Sequence, residues 1–206
     1  LIITDHHRPG QEIPNAFAVV NPKLHASHHV FRDLSGVGIA FKLAWAIGQH
    51  LSPQKKVSPE FKDFLLSAVG LVALGTIADV VPLLGENRII TKYGLSALQY
   101  TEIPGLRALL DGADISHINL DASHVGYRLG PRLNAPGRMG KAGIVVELLT
   151  TTCKKRAVEI ANFLEQENKR RQEIQVDILA SARKKVMHEI NLDETSAIVL
   201  ADQAWH

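Results

Sequence analysis

Along the first half of the chain, apolar positions change period at points marked by serine and proline. Leu1-Ile2-Ile3-Thr4 is a short continuous apolar run and reads as a buried strand. Val37, Ala40, Ala44, Ile47 and Leu51 then recur at steps of three and four, so 36–51 is expected to be an amphipathic helix stopped by Ser52-Pro53. Ser58-Pro59 starts the next, with serine as N-cap and proline at the first helical position, where its missing N–H does no harm. From Phe64 to Leu74 that helix is apolar on nearly every side, as for a helix enclosed by protein.

The second half reads as helices joined by turns. Segments 86–100 and 104–110 are shorter helices divided at Ile103-Pro104-Gly105. Asp121 caps a helix through Leu129 that Gly130-Pro131 should end. An arginine-rich loop and a short helix over 142–149 follow. Residues 154–190 form one pattern free of Pro and Gly, spanning roughly 55 Å at about 1.5 Å per residue. Its apolar stretches, Ala157-Ile160-Ala161-Leu164 and Ile174-Ile178-Leu179-Ala182-Val186, flank a polar middle, the mark of a connector that packs at both ends. Ala197 to Ala201 reads as a further strand.

Composition narrows the classes. With 46% hydrophobic and 21% charged residues the usage is globular, the length allows one domain and part of another, and no run reaches the eighteen or so apolar residues of a membrane span. A single cysteine, Cys153, excludes an internal disulfide and fits a reducing, cytoplasmic compartment. Net charge is +2, but Arg128 to Arg156 holds seven basic residues against one acid, Glu147, so that segment carries +6 and the remainder −4. Such an asymmetry suits a phosphate-binding surface, although charge blocks also occur on ordinary solvated faces.

The candidate chemistry begins where the first strand ends. Asp5-His6-His7 sets a carboxylate and two imidazoles at a strand's carboxyl edge, where α/β proteins gather ligands, and these donors suit a divalent cation such as manganese. The same three residues read equally as a capping Asp followed by two surface histidines. In Gly75-Thr76-Ile77-Ala78-Asp79-Val80-Val81-Pro82 an acid stands among apolar neighbours, and an unpaired buried carboxylate needs a cation, a proton or a partner. The stretch from Gly130 to Gly140 contains Arg132, Asn134 and Arg138 among glycines and prolines, a composition suited to an anion. His25, His28 and His29 lack a neighbouring acid or cysteine. Gly36-Val37-Gly38 is only part of a dinucleotide fingerprint, and Gly140-Lys141-Ala142 lacks a Walker hydroxyl. His117, His124 and His188 are isolated.

Taken in order, Leu1 to His7, Ser35 to Leu43, Gly75 to Pro82 with Gly85-Glu86-Asn87-Arg88, Arg132 to Gly140, Asn168 to Gln172 and Ile198 to His206 resemble the DHH phosphoesterase superfamily. Within it, the wording is most similar to the RecJ-type single-strand-specific exonucleases of bacteria. The resemblance implies an α/β fold: a partial DHH catalytic domain over 1–150, with a parallel sheet flanked by helices and a helix-rich second half. A connector helix over 154–190 and the start of a DHH-associated domain over 191–206 would follow. It implies phosphodiester hydrolysis by two divalent cations, Mn2+ or Mg2+, on single-stranded DNA from the 5′ end, in DNA repair and recombination. His6 and Asp79 would bind metal, Asp5 would support the site, His7 would orient or protonate the phosphate, and Arg132, Asn134 and Arg138 would hold it. Lys169, Arg170 and Arg171 could face the strand. A monomer off the membrane, working with a single-strand-binding protein and a helicase, is the implied setting.

The family pattern also places an Asp-rich strand end and a further Asp ahead of the triplet, and neither fits before residue 5. The chain is therefore expected to be an internal fragment, inactive alone. Two other readings stay open: a related phosphoesterase for short oligonucleotides or cyclic dinucleotides, and a non-catalytic DNA-binding scaffold.

Overall fold

A computed structural model describes residues 1–138, 142–192 and 194–205, Arg138 by its backbone only. Strand β1 (Ile2–Thr4) pairs in parallel with β2 (Ala18–Val20), with Ile3 opposite Val19. Asp5 N–H to Val20 O at 3.1 Å and Phe17 N–H to Leu1 O at 3.0 Å extend the ladder at its two ends. The expected parallel sheet thus has two strands among the described residues.

Helix α1 (Gly36–Leu51) begins at Ser35, whose hydroxyl accepts from Gly38 N–H at 3.2 Å. Helix α2 (Pro59–Ala78) begins at Ser58, which accepts from Phe61 N–H in the same way, with Pro59 in the first turn. Enclosure of α2 is one-sided, contrary to its sequence pattern. Phe64 and Leu66 are exposed, while Gly70, Val72, Ala73, Leu74, Thr76 and Ile77 are buried. Among the described helices α2 alone is long and apolar enough to cross a membrane by length and composition. Its buried C-terminal half packs instead on α1 and on α3 (Gly85–Gln99). The α2–α3 crossing leaves no room for a side chain at Gly94, where a Cβ would lie 2.3 Å from that of Ala73 and 2.6 Å from Val69 O.

The main core is built largely from the second half, joined by Leu74 and Ile77 of α2 and Leu98 of α3. Helix α4 (Pro104–Gly112) supplies Leu106, Leu109 and Leu110, α7 (Gly143–Thr150) supplies Leu148, and α8 (Lys154–Glu189) supplies Ile160 and Leu164. Between them Asp121 caps α5 (Ala122–His124), its carboxylate accepting from Ser123 and His124 N–H.

Gly130-Pro131 does not end this helix. Val125–Leu129 widen into a π turn, Gly130 N–H reaches back to Val125 O, and the chain continues as α6 (Gly130–Arg138). The wide turn sets Pro131 in the first turn of a new helical segment, where a missing N–H costs least. The arginine-rich stretch expected as a loop is therefore helical up to Arg138.

The 36 residues of α8 span about 54 Å. Its first half buries Ala157, Ile160, Ala161, Leu164 and Asn168 against α4, α6 and α7. Packing at both ends was the expectation, but no residue of its second half is buried, and Val176, Leu179 and Met187 are exposed. Among the described residues the segment after it leans back, with Lys185 at 2.6 Å from Asp202 and over the Trp205 ring. The strand expected at Ala197 to Ala201 has no ladder partner among the described residues, and an unpaired strand has nothing to satisfy its backbone.

Candidate active site

Asp5 closes β1 by gathering donors. Its Oδ1 accepts from His6 N–H at 2.8 Å, from His7 N–H at 3.2 Å and from His7 Nδ1 at 2.8 Å. The His7 ring first, then the backbone N–H groups, hold the Asp5 carboxyl below its ordinary value. Because a carboxylate only accepts, His7 Nδ1 carries the proton and Nε2 is left for other work. Asn21, buried at the end of β2, donates to His7 O at 2.9 Å and ties the two strand ends together.

This turn sends the two histidines apart. His7 stays in solvent with 76% of its side chain exposed, whereas His6 turns inward, is 13% exposed and brings Nε2 within 3.2 Å of Asp79 Oδ2. Asp79 is the C-cap of α2, its N–H bonded to Gly75 O. Its carboxylate is 37% exposed at the rim of a cavity, not sealed among apolar neighbours as its sequence context suggests. Val81 and Pro82 lead the chain away after a left-handed residue, Val80, at φ 58°.

Glycine makes the convergence of His6 and Asp79 possible. A Cβ on Gly75 would stand 2.7 Å from Val37 Cγ1, so α1 and α2 meet only because position 75 has none. Beside it Ser35 and Thr76, both fully buried, share a hydrogen bond of 2.8 Å across the two helices. The resulting cavity, about 430 Å³, is lined by His6, Ser35, Gly36, Val37, Asp79 and Asn134 among others.

The other expected phosphate ligands differ in placement. Asn134 lines the cavity from α6, on a helix rather than a turn. Arg132 does not line it. Its Nε donates to Glu165 Oε2 and its NH1 to Arg128 O, each at 2.6 Å, so it fastens α6 to α8 and would have to leave that pair to hold a phosphate. The side chain of Arg138 lies outside the described residues. Arg156 is likewise engaged, with Glu147 at 2.6 Å and Glu159 at 3.3 Å. Part of the basic excess from Arg128 to Arg156 is thus neutralised locally.

Two residues to which sequence reasoning gave no role hold the surrounding loops in place. Asn87, fully buried, donates to Asp33 O at 2.6 Å and to Pro82 O at 3.0 Å, which fixes the loop after Asp79. His29, set aside as a metal ligand, joins a network instead. Its Nδ1 donates to Phe31 O at 2.6 Å, which leaves Nε2 to accept from Lys42, itself paired with Glu86.

The chemistry of the donors bears on a cation. An imidazole nitrogen and a carboxylate oxygen share one wall of an open cavity, and His6 Nδ1 is buried without a hydrogen-bond partner, so the ring has no competing anchor. Among the described residues no third His, Cys, Asp or Glu joins them. The pair therefore fits a hard or borderline divalent ion that keeps waters and phosphate oxygens in its remaining positions.

The comparisons with known proteins bear on family and fold. The DHH family, N-terminal domain, matches residues 1–69. All of this chain aligns at 41% identity with the single-stranded-DNA-specific exonuclease RecJ of Bacillus subtilis (strain 168). Residues 1–69 thus carry a DHH-family N-terminal domain. It spans 24% of that Bacillus relative's length. RecJ from Thermus thermophilus, solved in complex with Mn2+, superposes with a TM-score of 0.74 at 32% identity, over 91% of this chain and 26% of that one. A second structure, exonuclease RecJ bound to manganese, gives 0.75 at 34% identity over 87% of this chain and 43% of that one.

Proposed function

We propose that these residues form part of the catalytic unit of a RecJ-type exonuclease that hydrolyses phosphodiester bonds in single-stranded DNA with Mn2+ or Mg2+. The single observation behind the proposal is the meeting of His6 and Asp79 at 3.2 Å on a cavity open to solvent. Both relatives solved with manganese and the shared fold support it.

In this reading His6 and Asp79 hold the cation side of the site. Divalent ions held there would supply a hydroxide nucleophile and neutralise charge on the phosphate. Asp5 fixes the tautomer of His7, so that Nε2 exchanges a proton at the phosphate. Asn134 donates a hydrogen bond into the cavity. Attack from the 5′ end, a place in DNA repair and recombination, a cytoplasmic location, a monomeric state, and work beside a single-strand-binding protein and a helicase belong to the same proposal.

The test is digestion of 5′-labelled single strands against duplex, with manganese, by the full open reading frame that carries these residues. Rapid loss of the single strand, abolished by Asp79→Asn, is expected. Equal digestion of duplex, or an Asp79→Asn variant as active as the wild type, would contradict the proposal.

A further inference from the structure

The segment that follows the triplet has little to hold it. Residues 8–16 form neither helix nor strand, are mostly exposed, and carry Pro9, Gly10 and Pro14. His7 stands at the root of this loop with its ring in solvent. Such a ring keeps one direction only if its backbone is fixed from elsewhere, because a single exposed contact barely outweighs the entropy of the groups it orders.

Asp5 fixes one side of His7. Its Oδ1 takes both the His7 N–H and Nδ1, an exposed contact between residues two apart. The other side is fixed by Asn21, whose Nδ2 donates to His7 O at 2.9 Å. Asn21 directly follows β2 and is 7% exposed, and its Oδ1 accepts from Lys23 N–H at 2.9 Å, so the turn that ends β2 sets the rotation of the amide. With Oδ1 committed to that turn, Nδ2 is left to reach across to β1. The rung from Asp5 N–H to Val20 O holds the same two strand ends in register. Asn21 itself lines a different cavity, between β2 and α1. Any effect it has on the reaction therefore passes through His7.

We infer that Asn21 is a positioning residue: by holding the His7 carbonyl it keeps the His7 ring on Asp5, with the proton on Nδ1 and Nε2 free for the substrate. This rests on the role given to His7 above and adds the group that fixes the ring.

Asn21→Asp tests the inference, because it keeps the shape and the bond from Lys23 N–H while removing the donor to His7 O. In the 206-residue chain, the ring-nitrogen NMR signals of neutral His7 report which nitrogen carries the proton. The wild type should show it on Nδ1, and Asn21→Asp should shift the balance towards Nε2–H about fivefold, the order expected of one hydrogen bond. Asn21→Ala, which loses both bonds, should do at least as much. In the full open reading frame, digestion of a 5′-labelled single strand by Asn21→Asp should lose about tenfold in kcat with KM kept within about twofold, as for a group that matters only in the transition state. Added to His7→Ala, the same substitution should lower activity no further, whereas an asparagine that merely supports the fold would still lower it. Thermal melts by circular dichroism confirm that each variant is folded.

His7 ring signals left unchanged by Asn21→Asp would overturn the inference. So would an equal loss of activity in the His7→Ala background, which would place the effect in the fold. If the ring shifts as expected but neither His7→Ala nor Asn21→Asp slows digestion, the clamp stands and the catalytic role of His7 falls.

Discussion

Arg132→Met separates two jobs that one residue could have. Arg132 and Glu165 are 15% and 23% exposed, and the guanidinium makes one charge-assisted bond and one bond to a carbonyl. A net hydrogen bond to a charged group is worth about 1.5–3 kcal/mol, and the loss here is tempered because Lys169 remains near Glu165. The methionine keeps the apolar stem, so the substitution should cost about 2–3 kcal/mol. With a urea dependence of about 2 kcal/mol per molar, the midpoint falls by about 1–1.5 M. Glu165→Met should also destabilise, but the double variant should recover about 1–2 kcal/mol relative to the sum of the two. Urea melts of all four proteins, followed by helical circular dichroism, give the cycle directly. A residue serving only a substrate would leave the melt unchanged. A midpoint for Arg132→Met within about 0.2 M of the wild type, or no coupling in the cycle, would refute the reasoning.

Three further outcomes follow from the site. Asn87→Ala removes two bonds from a fully buried amide to loop carbonyls and leaves a void, and should cost about 2–3 kcal/mol, with hydrogen exchange quickening first around Pro82 to Arg88; a neutral melt would contradict it. Val80 is β-branched in a left-handed conformation that costs about 1–2 kcal/mol, against about 0.5–1 for glycine's added freedom, so Val80→Gly should raise the melting midpoint by about 1–3 °C in calorimetry, and a fall would count against that strain. The Asp5 carboxyl titrates below its ordinary value, so its contribution is present above the unfolded carboxylate pKa of about 3.9 and is lost as pH falls through the lower folded value. His7→Ala should bring that titration back up in carbon-detected NMR, and an unmoved curve would mean that the ring is not its main cause.

Local signals carried much of this molecule into its sequence. Serine caps and the three-four spacing located α1 and α2, and the absence of Pro and Gly located α8, because those features act within a few residues. The triplet and Asp79 were legible for a related reason: each sits where an element ends, and a polar residue there stands out against an apolar run. What could not be read depends on contacts between distant positions. β2 is three residues long and exists by pairing with β1. Arg132 meets Glu165 across 33 positions, and no composition of its own stretch announces that partner. Gly130-Pro131 looked like a stop because proline breaks the ordinary helical ladder, and only the wider turn before it lets the helix go on. The second half of α8 has the apolar spacing of a packed helix, yet Ile174, Ile178, Ala182 and Val186 are only half-buried and Leu179 is exposed.

Mn2+ titrated into the 206-residue chain, read by paramagnetic broadening of assigned histidine ring and aspartate side-chain NMR signals, tests most directly that His6 and Asp79 grip one cation. The expected result is that both broaden first, well below one equivalent, and that Asp79→Asn abolishes the effect at His6. Broadening that begins at His25, His28 or His29, or that persists at His6 in Asp79→Asn, would contradict it.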